Sequence, residues 1–476
     1  MNKKLLYLLL IILASCGKGE KTSPDVYFAG EIVNPTSSYV VLYKGDNIID
    51  STKLDAENRF SFRFDSIDDG LYHFNHAPEL QYVYLKKGDS LTIRLNTVAF
   101  DESLIFSGVG EEINNFLLDL FLANEEERPA IYSTFRLEPD VFIEKLDSLA
   151  DQKLSLLNAL TVEGNLTDKE VKIAKASILY EYDSFKEKYP FVHRKYTQDK
   201  KIKELPASFY DYRKNLDFND NDLTYLRPYY NFMNNHFGNV TYMSCASDCD
   251  LENKKVKNHF HFNRHKLHLI DSIVIDKELK DNLLRKVAFD YLLKAHDSEE
   301  NNEIFIEQFH ELSNNNRHNE EIDELYEGIR NIQPKKTIPE VYVNNSEGES
   351  VSLRDISKGK KTVFYFWSGE DKRHFKEVNK RIASLDNKKS KYQFIGINIR
   401  TEETSWKGIV QTAKLDPDTQ FRSENFEELT KALIIYPINK CIIAENGKII
   451  NAFSNIFSNS LEKQVSGYNH NQIAKN

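Results

Sequence analysis

Length, composition and charge limit what this chain can be. It has 476 residues, 40% of them hydrophobic and 12% aromatic, so it can bury a core in each of about three domains. Such proportions argue against a largely disordered chain. The formal net charge of -10 argues against a general nucleic-acid binder, because such proteins carry a basic face. The four cysteines are too few to build the fold on disulfides, so packing must hold it together.

The N-terminal residues have the layout of an export signal. A basic head precedes the apolar run 5–13, which is shorter than the roughly 20 residues that cross a bilayer. Residues 13–16 read Leu-Ala-Ser-Cys, which resembles the lipobox of bacterial lipoproteins, so residues 1–16 are the predicted signal peptide and Cys16 the predicted lipidation site. A short uncleaved membrane anchor is the alternative.

The resemblance to lipoproteins implies a lipid-anchored protein of the cell envelope. Acyl chains on Cys16 would hold the chain at a membrane, since each buried methylene contributes about 0.8 kcal/mol. Gly17, in place of an aspartate, favours the outer membrane in the lipoprotein sorting pattern, on its periplasmic or its outer side. Residues 17–25 are small and polar and predict a flexible tether. This compartment permits disulfides.

Three regions with different patterns follow the tether. Residues 26–108 hold short aromatic and β-branched runs separated by turn residues, which predicts an antiparallel β-sandwich. Residues 109–330 predict an α-helical region, because apolar residues recur near a 3.6-residue period. Residues 334–465 alternate strand-like runs with charged helical segments, which predicts an α/β fold. The polar residues 466–476 predict a disordered tail.

The α/β region resembles a known family. Segments 338–353, 359–367, 394–398 and 436–449 are similar, in order, to four parts of a thioredoxin-like domain of the TlpA and alkyl-hydroperoxide-reductase group. These parts are the entry hairpin, the central strand with its final tryptophan, the next strand, and the proline loop with its hairpin. Residues 26–120 resemble the β domain that precedes such domains in lipoproteins of the Bacteroidota. The resemblance implies a C-terminal thioredoxin-like fold.

The redox cysteines of that family are absent. They should lie four and seven residues after Trp367, where this chain has Asp371 and His374. An alignment shift restores neither, because no cysteine occurs between Cys249 and Cys441. Thiol–disulfide exchange needs an attacking thiolate and a resolving thiol, and peroxidase action in this group needs a peroxidatic cysteine. The domain is therefore expected to be redox-inactive, and no catalytic residue is assigned.

Two interpretations of Asp371 and His374 stay open. Asp371 can cap a helix that begins there, since the positive helix end favours an anion. Alternatively, the two residues form an acid–base pair, because side chains three apart on a helix can approach each other. Cys441 lies in a strand-like run and is expected to be a buried core thiol.

The surface around Trp367, Tyr436 and Pro437 is what remains of the family's site. In the family the proline edge holds an extended peptide by backbone pairing, so the resemblance implies a peptide groove at these three residues. The alternative is that the proline serves the fold alone. A binding or scaffold role is expected, with an extended peptide or an envelope protein as partner, and with no nucleic acid and no cofactor.

A cysteine and histidine cluster in the helical region suggests two other functions. Cys245 and Cys249 can form a local disulfide, stay unpaired, or act as a redox pair in a thiol–disulfide oxidoreductase. They do not follow a central strand, which disfavours the redox interpretation. His261 and His265 share a face if their segment is helical, which makes a metal-binding lipoprotein the other alternative. The pattern matches no zinc motif, and we predict no metal site.

Overall fold

The computed structural model describes most of the chain beyond the tether. Residues 1–25 and 466–476 lie outside the described residues, and so do Cys16 and Cys249. Two compact units, Met1–Val287 and Ala288–Asn476, are defined by contacts within the chain. The finer sequence boundaries stay predictions. Among the described helices, none is long and apolar enough to cross a membrane. The described residues are 26–77, 79–199, 202–203, 205–245, 256, 258–386 and 390–465.

The first unit begins with strands that form two sheets. In chain order, the described strands β1 to β8 are Val26–Val33, Tyr39–Lys44, Asn47–Lys53, Arg59–Phe64, Gly70–His76, Glu79–Leu85, Ser90–Asn96 and Ile105–Val109. One four-stranded sheet has the order β4-β1-β7-β8 and the other the order β3-β2-β5-β6. Side chains of both sheets, among them Phe28, Phe62 and Phe74, form a single hydrophobic cluster. The alternation of apolar and polar residues along β4 places Phe60 and Phe62 in this core.

One strand pair departs from the predicted antiparallel arrangement. β1 pairs with β7 in parallel, with Phe28 opposite Leu91, whereas β1 and β4 are antiparallel. The prediction of purely antiparallel strands is therefore wrong at this pair. Turn residues in a sequence reveal which consecutive strands form hairpins, but β1 and β7 are distant in the chain and meet only through tertiary packing.

Helices follow the strands. The described α-helices α1 to α7 are Phe100–Ser103, Glu111–Thr134, Pro139–Glu163, Asp168–Thr197, Arg227–Ser244, His259–Ile273 and Lys277–Lys294. Asn114 on α2 exchanges hydrogen bonds of 2.7 and 2.9 Å with the main chain of Tyr84, which continues the hydrogen bonding of edge strand β6. Glu170 and Thr167 form a capping box at the start of α4. The carboxylate of Glu170 also forms a salt bridge with the ammonium of Lys86, with 2.8 Å between Nζ and Oε1. Buried polar contacts thus join the sheets to the helices within this unit.

The second unit is built around a mixed seven-stranded sheet. The described strands β9 to β15 are Tyr342–Asn344, Ser350–Ser352, Lys361–Trp367, Gln393–Asn398, Gln420–Arg422, Lys440–Glu445 and Lys448–Asn455. The helices α8 to α14 are Glu299–Leu312, Asn316–Asn331, Leu353–Ile356, Lys372–Asp386, Glu403–Thr412, Phe426–Leu433 and Asn459–Val465. The strand order is β10-β9-β13-β12-β11-β14-β15. Side chains of β11, α11, α12 and α14 share one hydrophobic cluster on one face of this sheet.

The middle of this sheet has the arrangement that the resemblance implied. β11 runs into α11 and pairs in parallel with β12, the next strand along the chain. On its other side β11 pairs antiparallel with β14, which forms a hairpin with β15. A parallel strand–helix–strand unit beside an antiparallel hairpin agrees with a thioredoxin-like fold.

Candidate functional site

The ends of several strands meet at one edge of the second sheet. β11, β12 and β13 are parallel, so Trp367, Asn398 and Arg422 lie at the same edge. β14 runs in the opposite direction, so its first residue, Lys440, comes to that edge as well. We call it the carboxyl edge. Ligand sites of open α/β sheets lie beyond the carboxyl ends of the strands.

Asp371 occupies the start of α11 as a helix cap. Its carboxylate Oδ1 accepts the backbone N–H of His374 at 2.8 Å, and its carbonyl accepts the N–H of Phe375 at 2.9 Å. A carboxylate in this position is favourable because it neutralises the positive helix end and satisfies a backbone donor. Asp371 therefore has a structural role at the start of this helix.

His374 does not form the acid–base pair that was the second interpretation. Its imidazole is 9% exposed and contacts the ring of Phe457 edge-on, with 6.3 Å between ring centroids. Neither ring nitrogen has a hydrogen-bond partner among the described residues. The bond between Asp371 and His374 uses the backbone N–H instead of the ring. The imidazole acts here as a packing group.

Trp367 is buried and cannot line an exposed groove. It is 0% exposed, and its Nε1–H donates to Oε1 of Gln420 at 3.1 Å. Nε2 of Gln420 in turn donates to the hydroxyl of Tyr365 at 3.0 Å. This corrects the expected three-residue groove, because the indole is used inside the domain. Of the three residues, Tyr436 and Pro437 are the ones with exposed side chains.

We call the two hydrogen bonds of Gln420, with Trp367 and with Tyr365, the Gln420 bridge. The sequence analysis did not predict it, although Gly396 is a sequence signal for it. A Cβ on Gly396 would lie 2.3 Å from Oε1 of Gln420 and 2.7 Å from the hydroxyl of Tyr365. Gly396 therefore makes the space through which the Gln420 side chain crosses β12. A lone glycine inside a strand marks such a close approach. Burial also raises the pKa of Tyr365 to about 12, which keeps its hydroxyl protonated.

Cys441 lies in β14 and has no reactive thiolate. It faces Tyr365 across the β11–β14 pair and is 0% exposed. Burial raises the pKa of its thiol to about 12, so the thiol is protonated at neutral pH. The nucleophile in disulfide exchange is the thiolate. Residues 288–476 contain no second cysteine that could resolve a mixed disulfide.

The Tyr436-Pro437 segment is one exposed part of the carboxyl edge. The peptide bond between the two residues is cis, and Tyr436 is 52% exposed. The segment lies in the loop between α13 and β14. These two side chains can contact a partner without any rearrangement of the domain.

Lys440 is a buried lysine beside this segment that the sequence analysis missed. It is 5% exposed, and its Nζ donates to the carbonyl oxygens of Leu433 at 2.6 Å and Ile434 at 2.8 Å. Burial lowers the pKa of Lys440 to about 7. A lysine at the start of a strand gives no sequence signal of burial, since most lysines are exposed.

The helical region contains another buried ionic cluster that was not predicted. The carboxylate of Glu187 accepts Nε–H of Arg213 at 2.9 Å, and Nδ1 of His236 lies 2.7 Å from the same oxygen. Burial alone would raise the pKa of Glu187, but the bonds from His236 and Arg213 hold it below its ordinary value. The cluster joins α4 to α5 and to the 3₁₀ segment Ala207–Asn215.

Three residues of the cysteine and histidine cluster, Cys245, His261 and His265, lie within the described part of the chain. Cys245 follows α5, is 5% exposed and is disulfide-bonded, while its expected partner Cys249 lies outside the described residues. His261 and His265 do share a face of α6, with 6.5 Å between ring centroids, and Nε2 of His265 lies 3.0 Å from the Ser244 hydroxyl. The described residues contain no group of three or more His, Cys, Asp or Glu side chains placed to hold a metal.

Comparisons with known proteins find similarity in solved structures. No family model matches the chain, and no curated protein matches it. The thioredoxin domain of a thiol-disulfide oxidoreductase from Bacteroides vulgatus is 21% identical, with 28% of this chain and 98% of that chain covered and a TM-score of 0.24. A domain of a possible thiol-disulfide isomerase from Cytophaga hutchinsonii is 19% identical, with 26% and 86% covered and a TM-score of 0.23. A thioredoxin-like protein from Bacteroides caccae is 14% identical, with 56% and 94% covered and a TM-score of 0.32.

These values are too low to carry function from one protein to another. The thioredoxin-like description of the second unit therefore rests on its strand order and helix placement. Over a limited part of this chain, the solved structures that it resembles are thioredoxin-like proteins.

Proposed function

We propose that this chain is a lipid-anchored protein of the cell envelope whose thioredoxin-like unit has no redox activity and binds a partner. The observation that carries the proposal is Asp371, a helix cap where the family has its attacking cysteine. The one thiol of the second unit, Cys441, is sealed in the core. In this proposal the unit has a thioredoxin-like fold but cannot exchange disulfides, so the function of its carboxyl edge is to bind a partner.

An insulin-reduction assay tests the redox part. The purified full-length protein is expected to show no turnover above the uncatalysed rate, because no thiolate is available at the carboxyl edge. The matched control is the double variant Asp371→Cys/His374→Cys, which restores both sulfurs and is expected to gain turnover. Turnover by the unmodified protein at the rate of an ordinary thioredoxin would contradict the proposal.

The proposed binding surface is the exposed Tyr436-Pro437 segment. An extended peptide could pair with the main chain there, as in other cases of strand addition to an exposed edge. Tyr436 supplies an exposed aromatic ring, and such rings are enriched in binding surfaces. We propose an extended segment of an envelope protein as the partner.

Site-specific photo-crosslinking tests this surface. A benzoylphenylalanine in place of Tyr436 is expected to capture a partner in intact cells. The matched control is the same substitution at Tyr342. Tyr342 is 54% exposed, compared with 52% for Tyr436, and lies on β9 of the same unit, four strands away from β14 in the sheet. Equal capture at both positions, or capture at neither, would contradict binding at the proline edge.

The oxidoreductase that uses Cys245 and Cys249 is a weaker proposal. Cys245 is buried at the end of α5 and already disulfide-bonded, which favours a structural bridge. Mass spectrometry after graded reduction distinguishes a structural disulfide from a redox-active pair. A structural bridge stays closed in glutathione buffers that open catalytic disulfides, whereas a redox pair exchanges readily.

A further inference from the structure

Two imidazoles stand next to each other on α6. His261 and His265 are four residues apart, so both side chains leave the same face of this helix. Their ring planes differ by 6°, and 6.5 Å separates the ring centroids. Both side chains are partly exposed, so an ion can reach them from solvent. The binding surface proposed above does not include this pair.

The spacing of the two rings suits a shared metal ion. Imidazoles that bind one ion through nitrogens about 2 Å from it, in a tetrahedral arrangement, have centroids about 5 Å apart. The distance of 6.5 Å between His261 and His265 must therefore shorten by about 1.5 Å. Rotation about the side-chain bonds of two partly exposed residues achieves this without a change in the backbone. The helix thus brings two nitrogen ligands within reach of one ion.

The last turn of α5 orients one of the two rings. The Ser244 hydroxyl donates to the carbonyl of Val240 at 2.8 Å, and its oxygen lies 3.0 Å from Nε2 of His265. Because its hydrogen is used in this way, the oxygen accepts Nε2–H, which leaves a lone pair on Nδ1 of His265. Hydrogen bonds of this kind fix the ring and tautomer of histidine ligands in metal sites.

The surroundings favour a positive charge beside His265. Ser244 is the last residue of α5, and the negative end of a helix dipole attracts a cation. The two cationic neighbours of His265 in sequence contact other groups. The guanidinium of Arg264 lies 4.8 Å from the ring centroid of Phe260, and Nζ of Lys266 lies beside Gly238 on α5.

The available donors select the class of ion. Imidazole nitrogens suit zinc, copper and nickel, whereas calcium and magnesium prefer oxygen ligands. Cys245 follows Ser244 but is disulfide-bonded, so it offers no thiolate. In the described part of the chain, no third His, Cys, Asp or Glu completes a site with this pair. Water must fill the remaining positions, which makes the ion exchangeable.

We propose that His261 and His265 bind one exchangeable divalent ion of the zinc and copper class, and that this ion stabilises α6. The spacing of these histidines in the sequence matched no zinc motif, and the helix supplies the geometry that the spacing alone did not show. An ion that joins residues one turn apart is bound by the folded helix and lost when the helix opens, so its binding energy adds to the stability of α6. This inference does not rest on the proposed function.

Isothermal titration calorimetry of the full-length protein, freed of metals with a chelator, tests the pair. Zn²⁺ and Cu²⁺ should each bind, Cu²⁺ more tightly, and Ca²⁺ should not. His261→Gln and His265→Gln should each lower the affinity for Zn²⁺ about a hundredfold, because the second imidazole of a chelating pair binds intramolecularly. His259→Gln is the matched control. It removes an exposed histidine from another face of the same helix and should leave the affinity unchanged.

Hydrogen exchange followed by mass spectrometry tests the effect on the helix. Zn²⁺ should increase the protection of the α6 peptide in the unmodified protein and in His259→Gln, and should not do so in His261→Gln or His265→Gln. A peptide from α2 should keep constant protection. Equal affinity for Zn²⁺ in the unmodified protein and in the double variant His261→Gln/His265→Gln would overturn the inference. So would a loss confined to one of the two single variants, or equally tight binding of Ca²⁺.

Discussion

Asp371 shows how a carboxylate can support the start of a helix. A cysteine at a helix N-terminus is activated by the positive helix end. A carboxylate at that position uses the same field to cap the helix, and here it accepts the N–H of His374 at 2.8 Å. The start of the helix is thus capped by a side chain that cannot exchange disulfides.

The cap contribution of Asp371 can be measured with the chain's own fluorophores. Trp367 and Trp406 are the two tryptophans of the sequence, and both are buried in the second unit, so their fluorescence follows its unfolding. Asp371→Ala should destabilise this unit by about 1 kcal/mol in denaturant titrations, while Asp371→Asn, which can still cap, should lose only a small part of that. Equal midpoints for Asp371→Ala and the unmodified protein would show that the cap contributes nothing.

His76 predicts an acid-sensitive first unit. It is 0% exposed; its Nε2 accepts the N–H of Thr36 at 3.0 Å, and its Nδ1 lies 3.1 Å from the carbonyl of Tyr39. Burial lowers the pKa of His76 below 6.5, so the folded state resists a proton that the unfolded state accepts. Stability should therefore fall as the pH drops below about 6.5. Hydrogen exchange in β2 should accelerate from pH 7 to 5.5 after correction, and His76→Gln should remove this dependence.

At the scale of elements, the crossing of β12 by Gln420 makes a steric prediction. Gly396→Ala places a Cβ within 2.3 Å of Oε1 of Gln420, so the bridge must break or shift. The expected cost is about 1–3 kcal/mol in the tryptophan-detected transition. The double variant Gly396→Ala/Gln420→Ala should be less destabilised than the sum of the two single variants, because the contact with Gln420 is removed and only the one with Tyr365 at 2.7 Å remains. Strict additivity would contradict the steric explanation.

The elements that the sequence predicted are those with a strong local pattern. The run ending at Trp367 and the segment 394–398 do form strands, as their apolar runs predicted, because such runs act locally. β3 has no such pattern, since all but one residue of Asn47–Lys53 are exposed and show no buried face. The parallel β1–β7 pair and the Gln420 bridge were missed because their partners are far apart in sequence.

The burial of two site residues could not be predicted from the sequence. The residue types at Asp371 and His374 can be read from the sequence directly. The burial of Trp367 and Lys440 cannot, because it depends on which helices and strands cover them. A tryptophan or a lysine is compatible with either a surface or a core position until the fold is known.

At the scale of the whole molecule, the proposed lipid anchor makes the protein a tethered binder. A lipidated chain should partition into the detergent phase of Triton X-114 and incorporate labelled palmitate. Cys16→Ala should abolish the label and release the protein from the detergent phase, because the predicted acylation site is gone. Cys441→Ala is the matched control and should leave both unchanged. Labelling that persists in Cys16→Ala would contradict the predicted anchor.

Alkylation of thiols in the folded protein at pH 7 tests most directly whether the carboxyl edge holds a reactive sulfur. Mass spectrometry should find Cys441 unmodified for hours in the native state and fully modified after unfolding, because its buried thiol is protonated. The Asp371→Cys variant should gain one rapidly modified cysteine at the helix start. Modification of native Cys441 within minutes would contradict the redox-inactive account.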